Sequence, residues 1–298
     1  MHQPVLLQSV IDGLNLSPGL TVVDGTINGG GHAAAIAKVI SPVSSAGGPT
    51  GYLIGIDRDA RAIIRAKKNL ASVTCRLDLV TGSYADLAEI LHNLGVSTID
   101  RALLDLGFSS NQVEESGRGF SFLKDEPLLM TYEYSPRDNA ETAESIVNSY
   151  RMEDLAKIFS TYGDESFARP IAKEIARTRR RQRISTTTEL VAAITRAVPA
   201  WYQSPRRRLH PATKTFQALR IVVNDEYGAL AKGLEAIWQK LTPGGRAAII
   251  TFHSGEARIV KSFFRGKEII EKAKRATYQE VRENPRSRSA VLRIVEKS

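Results

Sequence analysis

The chain predicts an α/β fold: a parallel sheet covered by helices on both faces, with an all-helical domain inserted in its middle. Three observations carry that reading. Strand and helix signals alternate through the first hundred or so residues, the rhythm of parallel strands joined by crossover helices. From Gly107 to Pro211 the patterns turn mostly helical. Strand signals return only after the turn at Pro243-Gly244-Gly245, so both ends of the chain build the sheet.

Each element has a local reason. Leu20-Thr21-Val22-Val23-Asp24 is a β-prone run that stops at a glycine-rich turn, and Gly30 to Ile40 then reads as a helix. Tyr52 to Asp57 predicts a second strand and Asp59 to Leu70 a second helix. Thr74 to Val80 and Ile99 to Asp105 predict the third and fourth strands, with a helix through Leu94 between them. The helical stretches are Ala140 to Ser149, Met152 to Tyr162, Glu165 to Arg181, and Thr187 to Val198. Thr213 to Val223 and Glu226 to Leu241 follow, then strands at Arg246 to Phe252 and Val291 to Val295. The domain boundaries expected are 1–108 with 212–298 for the sheet domain, and 109–211 for the insert.

At 298 residues and 42% hydrophobic, the chain can bury a sizeable core. It has no apolar run long enough to cross a bilayer and no signal-peptide pattern at its start, so the expectation is a cytoplasmic protein with no membrane partner. One cysteine, Cys75, leaves no internal disulfide or thiolate cluster, and the five histidines lack metal-site spacing. No metal is expected.

Positive charge is concentrated. Thirteen basic residues fall between Arg169 and Arg220, against only Glu174 and Glu189. That window carries +11 while the whole chain carries +9. A local excess of this size suits a polyanion such as nucleic acid, since solvated helix faces usually mix signs. The candidate phosphate contacts are Arg179, Arg180, Arg181, Arg206, Arg207, Arg208 and Lys214.

The loop Asp24-Gly25-Thr26-Ile27-Asn28-Gly29-Gly30-Gly31-His32 joins the first strand to the first helix of the alternation. Glycines there let a ligand approach the backbone, and the helix behind them offers free N–H groups. In an open α/β sheet this is the crevice for nucleotide-like ligands. The run loosely matches the dinucleotide pattern, which is weak alone. Asp24 precedes the first glycine, where a carboxylate would repel a pyrophosphate but suit an ammonium group. Asp57 ends the second strand, where it can accept ribose hydroxyls. Together they fit S-adenosylmethionine, although Asp57 alone would serve NAD as well. Asp105 ends the fourth strand, toward the reactive end of such a ligand; Gln112 follows seven residues later.

Several segments match a known family from end to end. They include His2-Gln3-Pro4-Val5-Leu6-Leu7, Gly55-Ile56-Asp57-Arg58-Asp59, Leu103-Leu104-Asp105-Leu106-Gly107 and Arg118-Gly119-Phe120-Ser121-Phe122. Tyr162-Gly163-Asp164-Glu165, the long run His210 to Arg220, Phe252-His253-Ser254 and Glu283 to Ser289 continue the match. The chain resembles the bacterial methyltransferases that modify the N4 amine of a cytosine in the decoding region of small-subunit (16S) ribosomal RNA.

The resemblance implies a class I S-adenosylmethionine-dependent methyltransferase sheet, Rossmann-like, whose helical insert helps to hold RNA. It places S-adenosylmethionine on Asp24, Gly30, Gly31, His32, Asp57, Tyr84, Asp105 and Gln112, with Tyr84 against the adenine. Asp105, His253 and Ser254 are the candidates around the reacting amine. The implied partner is 16S rRNA or the small ribosomal subunit; monomer and homodimer both stay open.

Two segments depart from the family. Leu129-Met130-Thr131-Tyr132-Glu133 stands where Asp-Met-Arg-Met-Asp is usual, and Gly255-Glu256-Ala257-Arg258 where Leu-Glu-Asp-Arg is common. A cytosine amine needs alignment and a hydrogen-bond acceptor for its N–H, with no covalent intermediate. Cys75, inside a strand pattern, reads as core and not as the nucleophile of carbon-5 methylation. The competing readings are an RNA-binding ribosome-assembly factor without turnover, an NAD-dependent oxidoreductase and a DNA amino-methyltransferase.

Overall fold

The computed structural model describes residues 4–41, 50–107, 117–133, 140–204, 206, 209–270 and 272–298. They form two compact units: Met1–Gly107 with Tyr227–Ser298, and Phe108–Glu226.

The first unit is a doubly wound sheet. Its strands are β1 (Thr21–Asp24), β2 (Tyr52–Asp57), β3 (Arg76–Thr81), β4 (Ile99–Asp105), β5 (Leu241–Thr251), the short β6 (Glu268–Ile269) and β7 (Lys274–Arg275), and β8 (Val291–Glu296). The spatial order is β3-β2-β1-β4-β5-β8-β6, with β7 also on β8. β1 to β5 pair in parallel; β8 runs antiparallel to β5. The order reverses between β1 and β4, and that switch point opens a crevice at the strands' carboxyl ends.

Side-chain alternation builds the two covering layers. Val22, Leu53, Leu103 and Ile250 pack one face against α1 (Leu7–Leu14), α2 (Gly31–Ile40) and α3 (Ala60–Asn69). Val23, Ile54, Leu104 and Ile249 point oppositely, onto α4 (Leu87–Asn93), α10 (Glu226–Lys240) and α11 (Ser254–Phe264). Cys75 is buried in the first layer, and burial pushes its thiol up, which suits core rather than a nucleophile. A last helix, α12 (Tyr278–Glu283), precedes β8.

The fifth strand differs from its expectation. It starts at Leu241, so Pro243-Gly244-Gly245 lies inside it as a bulge. Leu241 opposes Ile99 but Arg246 opposes Arg101, and Gly244 absorbs the slack with φ 73°.

The second unit contains α5 (Ala143–Ser149), α6 (Met152–Gly163), α7 (Ala168–Arg179), α8 (Thr187–Ala197) and α9 (Thr213–Val223) around Ile146, Phe159, Ile171, Leu190 and Leu219. Thr142 and Thr186 cap α5 and α8 with reciprocal capping boxes. The expected return to the sheet domain at 212 is corrected to 227, because α9 belongs to the helical core. A Cβ at Gly163 would fall 2.4 Å from the Lys214 carbonyl oxygen, so only glycine lets α6 approach α9 this closely. Asn224 donates to Met130 O (2.7 Å) and accepts from Tyr132 N (2.9 Å). Arg220 closes a two-pronged ion pair on Glu226 (2.7 and 2.8 Å).

Candidate active site

The loop after β1 is stitched to both neighbouring strands. Gly25 N donates to Leu103 O and Ile27 N to Ile56 O, each at 2.9 Å. Thr26 Oγ1 accepts from Asp105 N at 2.6 Å, which ties the loop to the end of β4. A Cβ at Gly25 would lie 2.5 Å from Leu104 Cδ2, so a larger residue there must displace that buried side chain. Gly30, with φ 81°, caps α2 in the left-handed region.

Three carboxylates converge on this loop, and all are buried. Asp24 Oδ1 accepts from Thr26 N (3.1 Å). Burial first, then the neighbouring Asp105 and Asp57 charges, push its carboxyl up to about 7, against the Thr26 hydrogen bonds. Asp57 accepts from Asn28 N and Asp59 N, one on each oxygen at 2.9 Å. Burial still pushes it up to about 6. Asp105 accepts from Gly107 N (3.2 Å) and lies 3.6 Å from His32 Nδ1. His32 is itself buried, with Nε2 on Val5 O at 2.9 Å. A carbonyl can only accept, so Nε2 carries the proton and Nδ1 is the nitrogen turned to Asp105. The His32 ring, fixed through Val5 O, lies beside Asp105.

The neighbouring charges that push Asp24 up, those of Asp105 and Asp57, are both negative. A ligand that brings positive charge relieves this crowding, whereas a pyrophosphate would add to it. S-adenosylmethionine, with its ammonium and sulfonium, fits this donor set; NAD does not.

Tyr84, on the short turn after β3, has its Cβ against Gly25. A Cβ at Gly233 of α10 would lie 2.4 Å from Tyr84 Cδ2, so that glycine makes room for the ring. The sequence singles out neither Thr26 nor Gly233. Thr26 sits inside the glycine loop and Gly233 at an ordinary helical position, so packing alone reveals them. Gln112 lies outside the described residues.

The turn after β5 lies beside the end of β4: a Cβ at Gly107 would strike the Phe252 ring at 2.6 Å. His253 has a structural task here. Its Nδ1 accepts from Glu256 N (3.4 Å), while Glu256 Oε2 accepts from Phe252 N (2.6 Å) and His253 N (3.3 Å). This capping box starts α11, and His253 Nε2 stands 2.9 Å from Glu256 Oε1. Ser254 is exposed in the first turn. The departure at Gly255 has a physical reason: a Cβ there would lie 1.6 Å from Tyr227 Oη. The tyrosine occupies the room that a leucine would need. The altered segment 129–133 is likewise filled, since Tyr132 donates to Glu226 Oε1 (2.8 Å) and stacks on Phe120.

In the helical unit the basic cluster divides. Arg180, Arg181 and Arg206 are exposed. Arg179 instead donates to Val147 O (2.8 Å), and burial pulls its guanidinium down. Lys214 donates to Asp164 O at the end of α6. Glu174 takes both Arg177 (2.8 Å) and Arg196 (2.9 Å), so hydrogen bonds from Arg177 hold its carboxyl down at about 2. Arg183 pairs with Glu144 (2.7 Å). Arg207 and Arg208 lie outside the described residues.

A parallel sheet ordered 3-2-1-4-5, closed by an antiparallel strand and carrying acids at the ends of β1, β2 and β4, defines a class I methyltransferase domain. The dinucleotide-binding sheet keeps its sixth strand in the order 3-2-1-4-5-6 and is mostly parallel throughout. The chain belongs to the MraW methylase family, whose profile matches residues 1–272. It is 42% identical to a Symbiobacterium thermophilum protein named "Ribosomal RNA small subunit methyltransferase H", over 99% of this chain and 96% of that one. Proteins of the same name from Dictyoglomus thermophilum and Deinococcus deserti are 40% and 41% identical, over all of this chain and 97% and 93% of theirs. No described helix is long and apolar enough to cross a membrane.

Proposed function

We propose that this protein transfers a methyl group from S-adenosylmethionine to the N4 amine of a cytosine in the decoding region of 16S ribosomal RNA. The observation that carries the cofactor and the chemistry is the set of three buried carboxylates around the loop after β1. The RNA target rests on the name shared by the relatives and on the exposed arginines of the helical unit.

When bound, S-adenosylmethionine supplies an electrophilic methyl carbon on a sulfonium. The chain's own residues do the rest. Asp24 would hold the ammonium end, and Asp57, fixed by Asn28 N and Asp59 N, would take the ribose hydroxyls. The backbone at Gly30 and Gly31 leaves the approach open, and Tyr84 would pack on the adenine. Asp105, at the end of β4 beside His32, would accept a hydrogen bond from the N4 amine and return lone-pair density to nitrogen. The His253 backbone and ring are held by Glu256, so its role is to shape the pocket and orient the target base. Ser254, exposed beside it, would contact the same target. Gln112 remains a cofactor contact by resemblance alone.

Arg180, Arg181 and Arg206 would contact phosphates; Arg207 and Arg208 join them on the sequence reading. The partner is the small ribosomal subunit or its RNA, in the cytoplasm, with homodimerisation open to a sedimentation measurement. An assembly factor without turnover would have no need of three buried acids gathered on one loop. The deciding experiment is mass spectrometry of 16S rRNA digests from cells with and without this protein, followed by restoration with purified enzyme and S-adenosylmethionine. Loss and recovery of an N4-methylated cytidine is expected; an unchanged digest overturns the proposal.

A further inference from the structure

A second cavity, of about 700 Å³, lies in the sheet unit between the end of α11, residues 265–270, 272 and 273, and β8. That volume is in the range of ligand sites. Five of its ten lining residues are cationic: Lys261, Arg265, Lys267, Lys272 and Arg293. No acid lines it among the described residues, and none of the five is within ion-pair reach of a carboxylate there. The floor between them is apolar, from Phe264 and Ile270 among others.

Arg293 is the informative member. It sits on β8, half-buried, and donates to Thr251 Oγ1 at 3.1 Å. Burial and the nearby Arg275 pull its guanidinium down. A half-buried guanidinium with no carboxylate in ion-pair reach among the described residues is a place where an anion would complete the charge. Lys267 is already engaged, donating to Phe263 O (2.8 Å) over the Phe263 ring (3.9 Å). Lys261, Arg265 and Lys272 are exposed around the opening. Cations around an apolar floor match one nucleotide of a single strand: phosphate on the guanidinium and ammonium groups, base on the aliphatic surface.

We propose that this cavity binds a nucleotide of the RNA substrate other than the reacting cytosine, as a second anchoring site on the sheet unit. The inference rests on the RNA reading above. It extends RNA contact beyond the arginines of the helical unit.

The test uses the full-length protein and a labelled 16S rRNA fragment. Lys261→Glu/Lys272→Glu changes only exposed residues and keeps the fold testable; Arg293→Gln probes the half-buried cation. RNA affinity is measured across a salt series, with S-adenosylmethionine affinity and melting temperature alongside. At least tenfold weaker RNA binding by the double variant is expected. Its salt slope should be lower by about 0.7 for each phosphate that the variant no longer neutralises, with cofactor affinity unchanged. RNA affinity and slope equal to those of the unaltered protein would overturn the proposal, including the case in which an acidic polypeptide is the true occupant. Methylation of 16S rRNA by the unaltered protein is scored separately. Its absence removes the RNA reading itself, whereas normal methylation with unchanged binding by the variants removes only this site.

Discussion

The crevice of the sheet unit and the basic stretch of the helical unit answer the same question in opposite ways. In the crevice, Asp24, Asp57 and Asp105 are drawn together and buried, and the charges that act on Asp24 add to its burden. In the helical unit, among the described residues, Arg177 and Arg196 share Glu174, Arg183 takes Glu144 and Arg220 takes Glu226. Two of those three acids lie outside the basic window of the sequence. A one-dimensional charge count therefore overstates the cluster that folding neutralises. It says nothing of the small acidic set that folding concentrates. The lesson is that uncompensated charge, of either sign, marks a ligand better than abundant charge.

The largest effect expected on that contrast is at Asp105. Asp105→Asn keeps the shape, weakens the acceptor and loses the charge facing His32. Single-turnover methyl transfer should fall by about 100-fold, the low end for removal of an acid–base partner, while RNA affinity stays near its original value. Normal turnover in this variant together with a dead His253→Ala would transfer the chemistry to the histidine.

Asp57→Ala comes next. It removes hydrogen bonds to a charged group, worth about 1.5–3 kcal/mol each. Calorimetry should show S-adenosylmethionine binding at least about tenfold weaker. Undiminished affinity would show that the carboxylate serves only to hold the loop through Asn28 and Asp59.

The pH dependence separates the two regions directly. Asp24 and Asp57 have carboxyls raised from about 3.8 to about 7 and about 6. Between pH 4 and 7 the cofactor-free protein therefore holds protons that the unfolded chain has released. Their contribution to stability is full below pH 4 and is lost as pH rises through 6 and 7. A cation beside Asp24 favours the carboxylate, so cofactor affinity should rise between pH 5.5 and 8. Asp24→Asn should flatten both trends in melting and titration experiments. Affinity that falls with pH would remove Asp24 as the ammonium partner.

The smallest effects belong to the arginines, and they sort by exposure. Arg180→Gln, Arg181→Gln and Arg206→Gln should each lower the salt slope of RNA binding by about 0.7. Arg179→Gln and Lys214→Gln should leave the slope alone and lower stability by about 1 kcal/mol, because each holds a backbone carbonyl of its own unit. Equal slopes across both groups would mean that exposure does not select the contacts.

The first hundred residues are legible because hydrophobic period, glycine placement and strand-end acids agree there; β1 to β4 and the loop acids stand where the pattern puts them. Elsewhere the cause is not local. Nothing near Thr213 shows that α9 leaves the sheet domain; Gly163 and Asn224, 50 residues before and 11 after, decide it. Pro243-Gly244-Gly245 spells a turn, yet pairing with β4 on one side turns it into a bulge. The motif Tyr162-Gly163-Asp164-Glu165 suggests function, but Glu165 accepts from Tyr202 Oη (2.9 Å) in the helical core. That His253 caps a helix is not legible, because histidine is not a usual cap residue and the reciprocal bonds with Glu256 appear only once the turn has formed.

The Tyr227–Gly255 contact bears on how this sequence can change. With a phenol oxygen where a Cβ would stand, position 255 cannot grow unless Tyr227 moves or is made smaller, whereas 227 can be made smaller by itself. A leucine placed at 255 is, in this background, an insertion into filled space that would strain the turn carrying His253 unless Tyr227 yields. The reverse path has an order built in: position 255 must be vacated before 227 can hold a tyrosine. The two positions are thus coupled, and a library that varies both together will find solutions that a scan of position 255 alone cannot reach.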